Sequence, residues 1–364
     1  MNRQERFLAA LRHELPDRVP MFDFLFQQPL YAALIGHAPE GYNGADAVRC
    51  ALALDHDGVW LPFGGFTGYQ PRYLSENVYQ DEWGTTFQKN FASWPIDAPV
   101  DFPIKSRQDL KRYHPPDPTL AGRNADILAA AQMEHDSIAL LGGVGGPLTT
   151  AWNLMGYEAI CFALYEDPAL IEELCHIAVD FGKEAARRSV EAGCVGIWVS
   201  EDLGDSMRGF FRLSHFRKHF LPYLNELVDS IDALGVPVLL HSCGHITDYL
   251  PDLTQTKIAA IHPLQRTAGM DLRQVKEQYG SRFCLIGNID SSRTLPYGSP
   301  EDVAAEVRQA IEIAAPGGGY ILASDHSLHD GISIENILAL FRTGAQYGRE
   351  YMQRLDSPAR KATL

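Results

Sequence analysis

Cysteine is sparse in this 364-residue chain. Its six residues, Cys50, Cys161, Cys175, Cys194, Cys243 and Cys284, lack the close spacing of a disulfide scaffold, so most read as small buried hydrophobes. Apolar runs are short as well. None reaches the length that crosses a bilayer, and no membrane partner is expected. Positive charge is in deficit, with 31 Lys and Arg against 46 Asp and Glu and a formal net charge of −15. A nucleic-acid partner is excluded on this balance, because phosphate binding needs a basic surface. The opening MNRQERFLAALRHELPDR is charged and amphipathic, with no apolar core of a signal peptide, so a cytoplasmic location is expected. The glycine-rich LLGGVGGP lacks G-x-G-x-x-G spacing, which argues against a dinucleotide site.

What is present is an alternation. Hydrophobic residues make up 46% and charged residues 21%, an ordinary globular balance able to fill a core. Eight short apolar runs read as strands: VPMFDF (19–24), DGVWL (57–61), SIALLGGV (137–144), VGIWVSED (195–202), PVLLHSC (237–243), IAAIHPLQ (258–265), FCLIGNID (283–290) and YILASDH (320–326). Amphipathic helical patterns such as DPALIEELCHIAVDFGKEAARRSVEAG separate them, which favours parallel pairing with helices over the sheet. The expected fold class is α/β, a (β/α)8 TIM barrel spanning 1–364 as a single domain. The interval 62–136 is too long for a plain connection and reads as a capping insertion between the second and third strands, with a hairpin near Tyr79 to Phe87.

Barrel sites form where the C-terminal ends of strands converge. Here those ends carry Asp23, Glu201 with Asp202, His241-Ser242-Cys243, His262, Asn288 with Asp290, and Asp325-His326. Residues two apart on a strand face the same way, so His241 and Cys243 can approach one centre. An imidazole with a thiolate suits Zn2+, and a catalytic zinc keeps three protein ligands and an open position. One H-x-C pair is equally compatible with a buried cysteine beside a hydrogen-bonded histidine. A third ligand must come from another strand end, His326 or Glu201. Asn288 and Asp290 either orient a ligand or close turns. His262 is either a proton donor or a histidine bonded to a loop carbonyl.

Nearly the whole chain resembles the uroporphyrinogen decarboxylase superfamily, on RQERFLAALRHELPDRVP, YQDEWGTTF, GGVGGPLTTAWNLMGYE, SEDLGDSMRGFFRLSHFRKHFLPYL, LLHSCGHITDYLPDL, HPLQRTAGMDLRQVKEQYG, IGNIDSSRTLPYGSPEDV and GGGYILASDHSLHDGISIENI. Within it the chain is similar to the zinc-dependent, corrinoid-linked methyltransferases. The resemblance implies a TIM barrel and a zinc site in which His241 and Cys243 match the H-x-C pair. The family's later cysteine falls at or beside His326, so imidazole replaces thiolate there. Decarboxylases of the superfamily carry an arginine-bearing segment after the first strand, where this chain reads MFDFLFQQPLYAALIGH without an arginine. A polycarboxylate substrate thereby loses its expected clamp.

The resemblance also implies methyl transfer between a small substrate and a corrinoid (cobalamin). No D-x-H-x-x-G segment for binding one is found, so the corrinoid is expected on a partner protein. Phe22, Phe24, Phe26, Trp60, Phe63, Phe66, Tyr69, Trp83 and Trp152 are aromatic groups that either fill the core or sandwich a substrate ring. Among the site residues, Asp23, Phe24, Trp60, Trp83, Trp152, Asn288 and Asp325 are assigned to substrate, and His262 and Asp290 to catalysis. The function expected first is O-demethylation of a methylated, aromatic substrate. The alternatives are a methylcobalamin:thiol methyltransferase, a decarboxylase, and a noncatalytic barrel that binds a corrinoid protein or small ligand.

Overall fold

The computed structural model describes residues 1–90, 93–133 and 136–356. Seven parallel strands lie side by side in chain order: Gly58–Pro62, Ala139–Gly145, Gly196–Ser200, Val238–His241, Ile258–His262, Cys284–Ile289 and Tyr320–Ser324. Nearly every residue in them is buried, whichever face it points to. That is the burial expected of a parallel sheet covered by helices. The 24-residue helix Pro168–Glu191 is one of those covers, and it ends near the strand that follows.

The segment expected as the first strand bonds to both edges of this sheet. Leu322 N donates to Pro20 O at 2.9 Å, Phe22 N to Leu322 O at 3.0 Å, and Asp57 N to Met21 O at 2.8 Å. It forms no continuous ladder, and the residues explain why. Pro20 has no N–H to offer. The Asp23 carboxylate accepts the Ser324 N–H at 2.7 Å and its hydroxyl at 2.8 Å, in place of a backbone carbonyl. Regular pairing resumes just beyond, where Leu25–Phe26 runs parallel to Leu328–His329.

Within the interval 62–136 the chain folds a four-stranded antiparallel sheet of Arg72–Tyr73, Val78–Gln80, Thr86–Gln88 and Ala98–Asp101. Tyr79 pairs with Phe87 in its hairpin. Residues 91, 92, 134 and 135 of that interval, and 357–364 of the chain, lie outside the described residues. No helix among the described residues is long and apolar enough to cross a membrane.

Aromatic rings fill the interior below the strand ends. Phe22 stacks on Trp198 at 4.7 Å between ring centres, and Phe24 meets Trp198 at 5.2 Å. Such contacts add to the area these rings bury and give the strand-end side chains a firm support. Trp198 therefore marks the inward face of its strand, and by alternation Ser200 and Asp202 continue that face while Glu201 points the other way.

Candidate metal centre

Three chain ends meet above this aromatic layer. His241 closes the Val238–His241 strand, Cys243 follows two residues later, and His326 comes two residues after Ser324. One ligand atom from each lies within 4.8 Å of the other two, the one such group among the described residues. His241 is pinned from two sides. Its Nδ1 lies 2.8 Å from His262 Nδ1, and its Nε2 lies 3.6 Å from Asp202 Oδ1. The same Asp202 oxygen accepts the Cys243 N–H at 3.2 Å. His326 Nδ1 is 3.0 Å from the Ser327 hydroxyl.

Burial governs the charge of the group. Desolvation pulls the His241 imidazole down to about 4 and His326 also downward, while the Cys243 thiol is pushed up. In the metal-free protein near neutral pH the group is therefore two neutral imidazoles and a thiol. The imidazoles already hold bare lone pairs, and only the thiol must lose a proton to bind a cation. Two nitrogens and one sulfur match zinc's preferences, and small rotations bring such atoms to the roughly 2.0–2.3 Å bonds zinc makes. The residues present fit the metal.

Glu201 is placed elsewhere. It is fully buried, and its carboxylate accepts the N–H groups of Leu148 and Thr149, each at 2.9 Å, at the start of the helix Pro147–Met155. The N–H groups of a helix start thus hold this carboxyl group. A Cβ on Gly146 would sit 2.2 Å from Glu201 Oε2, so the second glycine pair of GGVGG makes room for this carboxylate. Gly143 is likewise pressed against the Trp60 indole. Desolvation pushes Glu201 up to about 8. Its neighbour Asp202, not singled out from the sequence, is the carboxylate beside His241. The alternation that puts Trp198 inside was the available signal.

The other strand-end residues act mostly on loops. Asp325 accepts the Ser291 N–H and hydroxyl and the Arg266 N–H. Asp290 accepts the N–H groups of Ser292 and Arg293, closing a turn. Asn288 donates to the carbonyls of Leu264 and Met270. Asp23 brackets Ser324, as described above. His262 is bonded to His241 and not to a loop carbonyl. Phe24 packs edge-on against His241 at 5.5 Å and His262 at 5.1 Å.

A cavity of about 450 Å³ reaches Asp202, the carboxylate beside His241, while His241, Cys243 and His326 themselves are not on its lining. Trp60, Trp83 and Trp152 line it together with Phe66 and Phe87, so strand ends and the 62–136 interval share its wall. Phe24 is not on that lining. Among the described residues no Lys or Arg lines it.

Comparison with known proteins places this geometry in a family. Residues 97–347 match the uroporphyrinogen decarboxylase (URO-D) family. The methylcobamide:CoM methyltransferase MtbA of Methanosarcina acetivorans is 26% identical over 210 residues, which cover 55% of this chain and 59% of that protein. The chain thus spans little more than half the length of that relative. A uroporphyrinogen decarboxylase from Anaeromyxobacter dehalogenans is 26% identical over 92% of this chain and 96% of its own. Among solved structures, a methyltransferase from Methanosarcina mazei shares the fold at a TM-score of 0.72 and 22% identity, covering 95% of this chain and 99% of that one. With the family match extending over well more than half of its residues, the chain belongs to the URO-D family.

Proposed function

We propose that this chain is a zinc-dependent methyltransferase that moves a methyl group from a small O-methylated aromatic substrate to the corrinoid of a partner protein. The observation that carries the proposal is the His241, Cys243 and His326 group, whose neighbour Asp202 also lines an aromatic-walled cavity. When bound, zinc supplies Lewis acidity that stabilises negative charge on the oxygen losing its methyl group. The chain's own part is to bind and orient. The rings of Trp60, Trp83 and Trp152 sandwich a flat substrate, and the cavity keeps water from it. Asp202 holds the Cys243 backbone and stands between cavity and imidazole. In this reading residues 1–364 form one barrel domain, with 19–24 as the first of eight strands and 62–136 as the cap. The six free cysteines, Cys243 among them, suit a cytoplasmic enzyme.

Two features weigh against decarboxylation of a polycarboxylated porphyrinogen. The segment after residue 24 carries no arginine, and no Lys or Arg lines the cavity among the described residues. The purified protein is expected not to convert uroporphyrinogen. The thiol methyltransferase reading is favoured by a different observation, the activity named for the Methanosarcina relatives. One assay separates the two. Zinc-loaded protein is mixed with reduced corrinoid protein and a panel of methoxylated aromatics, and methylation of the corrinoid is followed by absorbance. Demethylation is the expected result. Failure across the panel, with thiols methylated from methylcobalamin instead, reverses the direction of transfer. Failure in both directions leaves a binding protein.

A further inference from the structure

His241 and His262 are register partners on adjacent parallel strands, and their Nδ1 atoms lie 2.8 Å apart. A hydrogen bond between two ring nitrogens requires one to carry a proton and the other to be bare. His241 Nε2 is the nitrogen that faces Asp202. If it is to offer a lone pair to a metal, the single proton of the neutral ring must sit on Nδ1. His262 Nδ1 then accepts that proton's hydrogen bond, and His262 must carry its own proton on Nε2.

That second nitrogen is the informative one. His262 Nε2 is buried with no hydrogen-bond partner among the described residues. The rings of Trp198, Phe24 and Phe22 lie around the imidazole at 5.0, 5.1 and 6.2 Å between centres. An unpaired buried N–H is unfavourable, and leucine would fill the same space without carrying one. Something must offset the loss. The bond to His241 is the one polar contact the ring makes among the described residues, and it touches the ligand set directly. Enclosure by aromatic rings also leaves Nε2 no path to a substrate, so a proton-donor role is set aside.

We infer that His262 is a positioning residue: it accepts from His241 Nδ1–H, holds the His241 ring in one tautomer and orientation, and thereby presents Nε2 to the metal. The inference rests on the zinc reading above. Outer-shell partners of ligating histidines commonly act this way, and losing one weakens metal binding by about 10–100-fold.

The test compares the unaltered protein with His262→Leu and His262→Asn. Asparagine can set its Oδ1 close to where Nδ1 was and keep the acceptor; leucine keeps the packing and removes it. Zinc affinity is measured by competition with a chelator, the Co2+-substituted protein is recorded by visible absorption, and metal-free melting temperatures are taken in parallel. Expected are a loss of about 10–100-fold in affinity and an altered Co2+ spectrum for leucine. Recovery of most of both is expected for asparagine, and cooperative metal-free melting of all three proteins shows that the fold is kept. Equal zinc affinity in the leucine variant overturns the inference while leaving the metal reading intact. Equal losses in both variants overturn it in favour of packing. No zinc uptake by the unaltered protein removes the metal reading, and the inference with it.

Discussion

Buried carboxylates at the two ends of the parallel sheet are held in different ways. At the end where the strands begin, Asp57 receives Arg6 at 2.6 Å, Arg18 at 2.8 and 3.1 Å, and the Met21 N–H at 2.8 Å. At the other end, among the described residues, Asp23, Glu201 and Asp325 accept from backbone N–H groups and from serine and threonine hydroxyls, with no guanidinium group among the donors. Asp202 has the Cys243 N–H and the His241 ring as its partners. Asp57 is met by guanidinium groups, and Asp23, Glu201 and Asp325 by dipoles. A site built for a metal cation gains from that difference, because a nearby guanidinium would repel the ion and claim its counter-charges.

The contrast can be broken most severely at the metal group. Changing His241 and Cys243 together to alanine should take zinc from close to one per chain to none, measured by elemental analysis. An unaltered protein that carries no metal after zinc-supplemented purification would remove the functional side of the comparison. Next in size is the fastening end. Asp57→Ala leaves two buried guanidinium groups without their shared partner and should lower unfolding free energy by about 3–5 kcal/mol in urea. Zinc per folded chain should not change. Smaller again is a ranking between His326→Ala and Glu201→Ala. The first should weaken zinc by more than the roughly 10–100-fold expected of outer-shell changes. The second should cost about 1–3 kcal/mol of stability, through the Leu148 and Thr149 N–H groups it strands, and leave zinc bound. The reverse order would make Glu201 the ligand.

The smallest effect is on pH dependence. Desolvation raises Asp23 to about 7 and Glu201 to about 8, above their ordinary values of 3.8 and 4.5. Folded protein then holds these protons more tightly than unfolded protein does. The stability from this source is fully present below the ordinary carboxylate values and is lost as pH rises through about 7 and about 8. The metal-free protein should melt a few degrees lower at pH 8 than at pH 5, and Glu201→Gln should flatten the upper part of that fall. A melting temperature that climbs over the same range would show both groups ionised in the fold.

Much of this was legible in the residues, for local reasons. Seven of the eight apolar runs are strands because continuous Val, Ile and Leu serve a sheet covered on both faces. The H-x-C pair could be read because alternation along one strand is a property of neighbours in the chain. What escaped depends on partners far away in sequence. Glu201 looked like a ligand until Leu148 and Thr149 were seen beneath it, and nothing near residue 201 announces a helix start at residue 147. His262 could not be paired with His241 without the register between their strands. The expected first strand thinned to a few bonds because Asp23 spends its carboxylate on Ser324, a contact between residues 301 positions apart. Asp202 is the exception, since alternation from the inward Trp198 would have chosen it over Glu201.

That same Asp23 contact bears on how the molecule is made. Asp23 bonds to Ser324, and the Gln27 side chain donates to the carbonyls of His329 and Ile332, so some of the partners of the opening segment lie near the far end of the chain. During synthesis residues 19–27 leave the ribosome long before these distant partners exist. Contacts between residues so far apart in sequence slow folding, and until they form the Asp23 carboxylate lacks its serine partner. A chain cut short before residue 324 would keep the contacts of Met21 with Asp57 and of Phe22 with Trp198, and would lose those of Asp23 and Gln27.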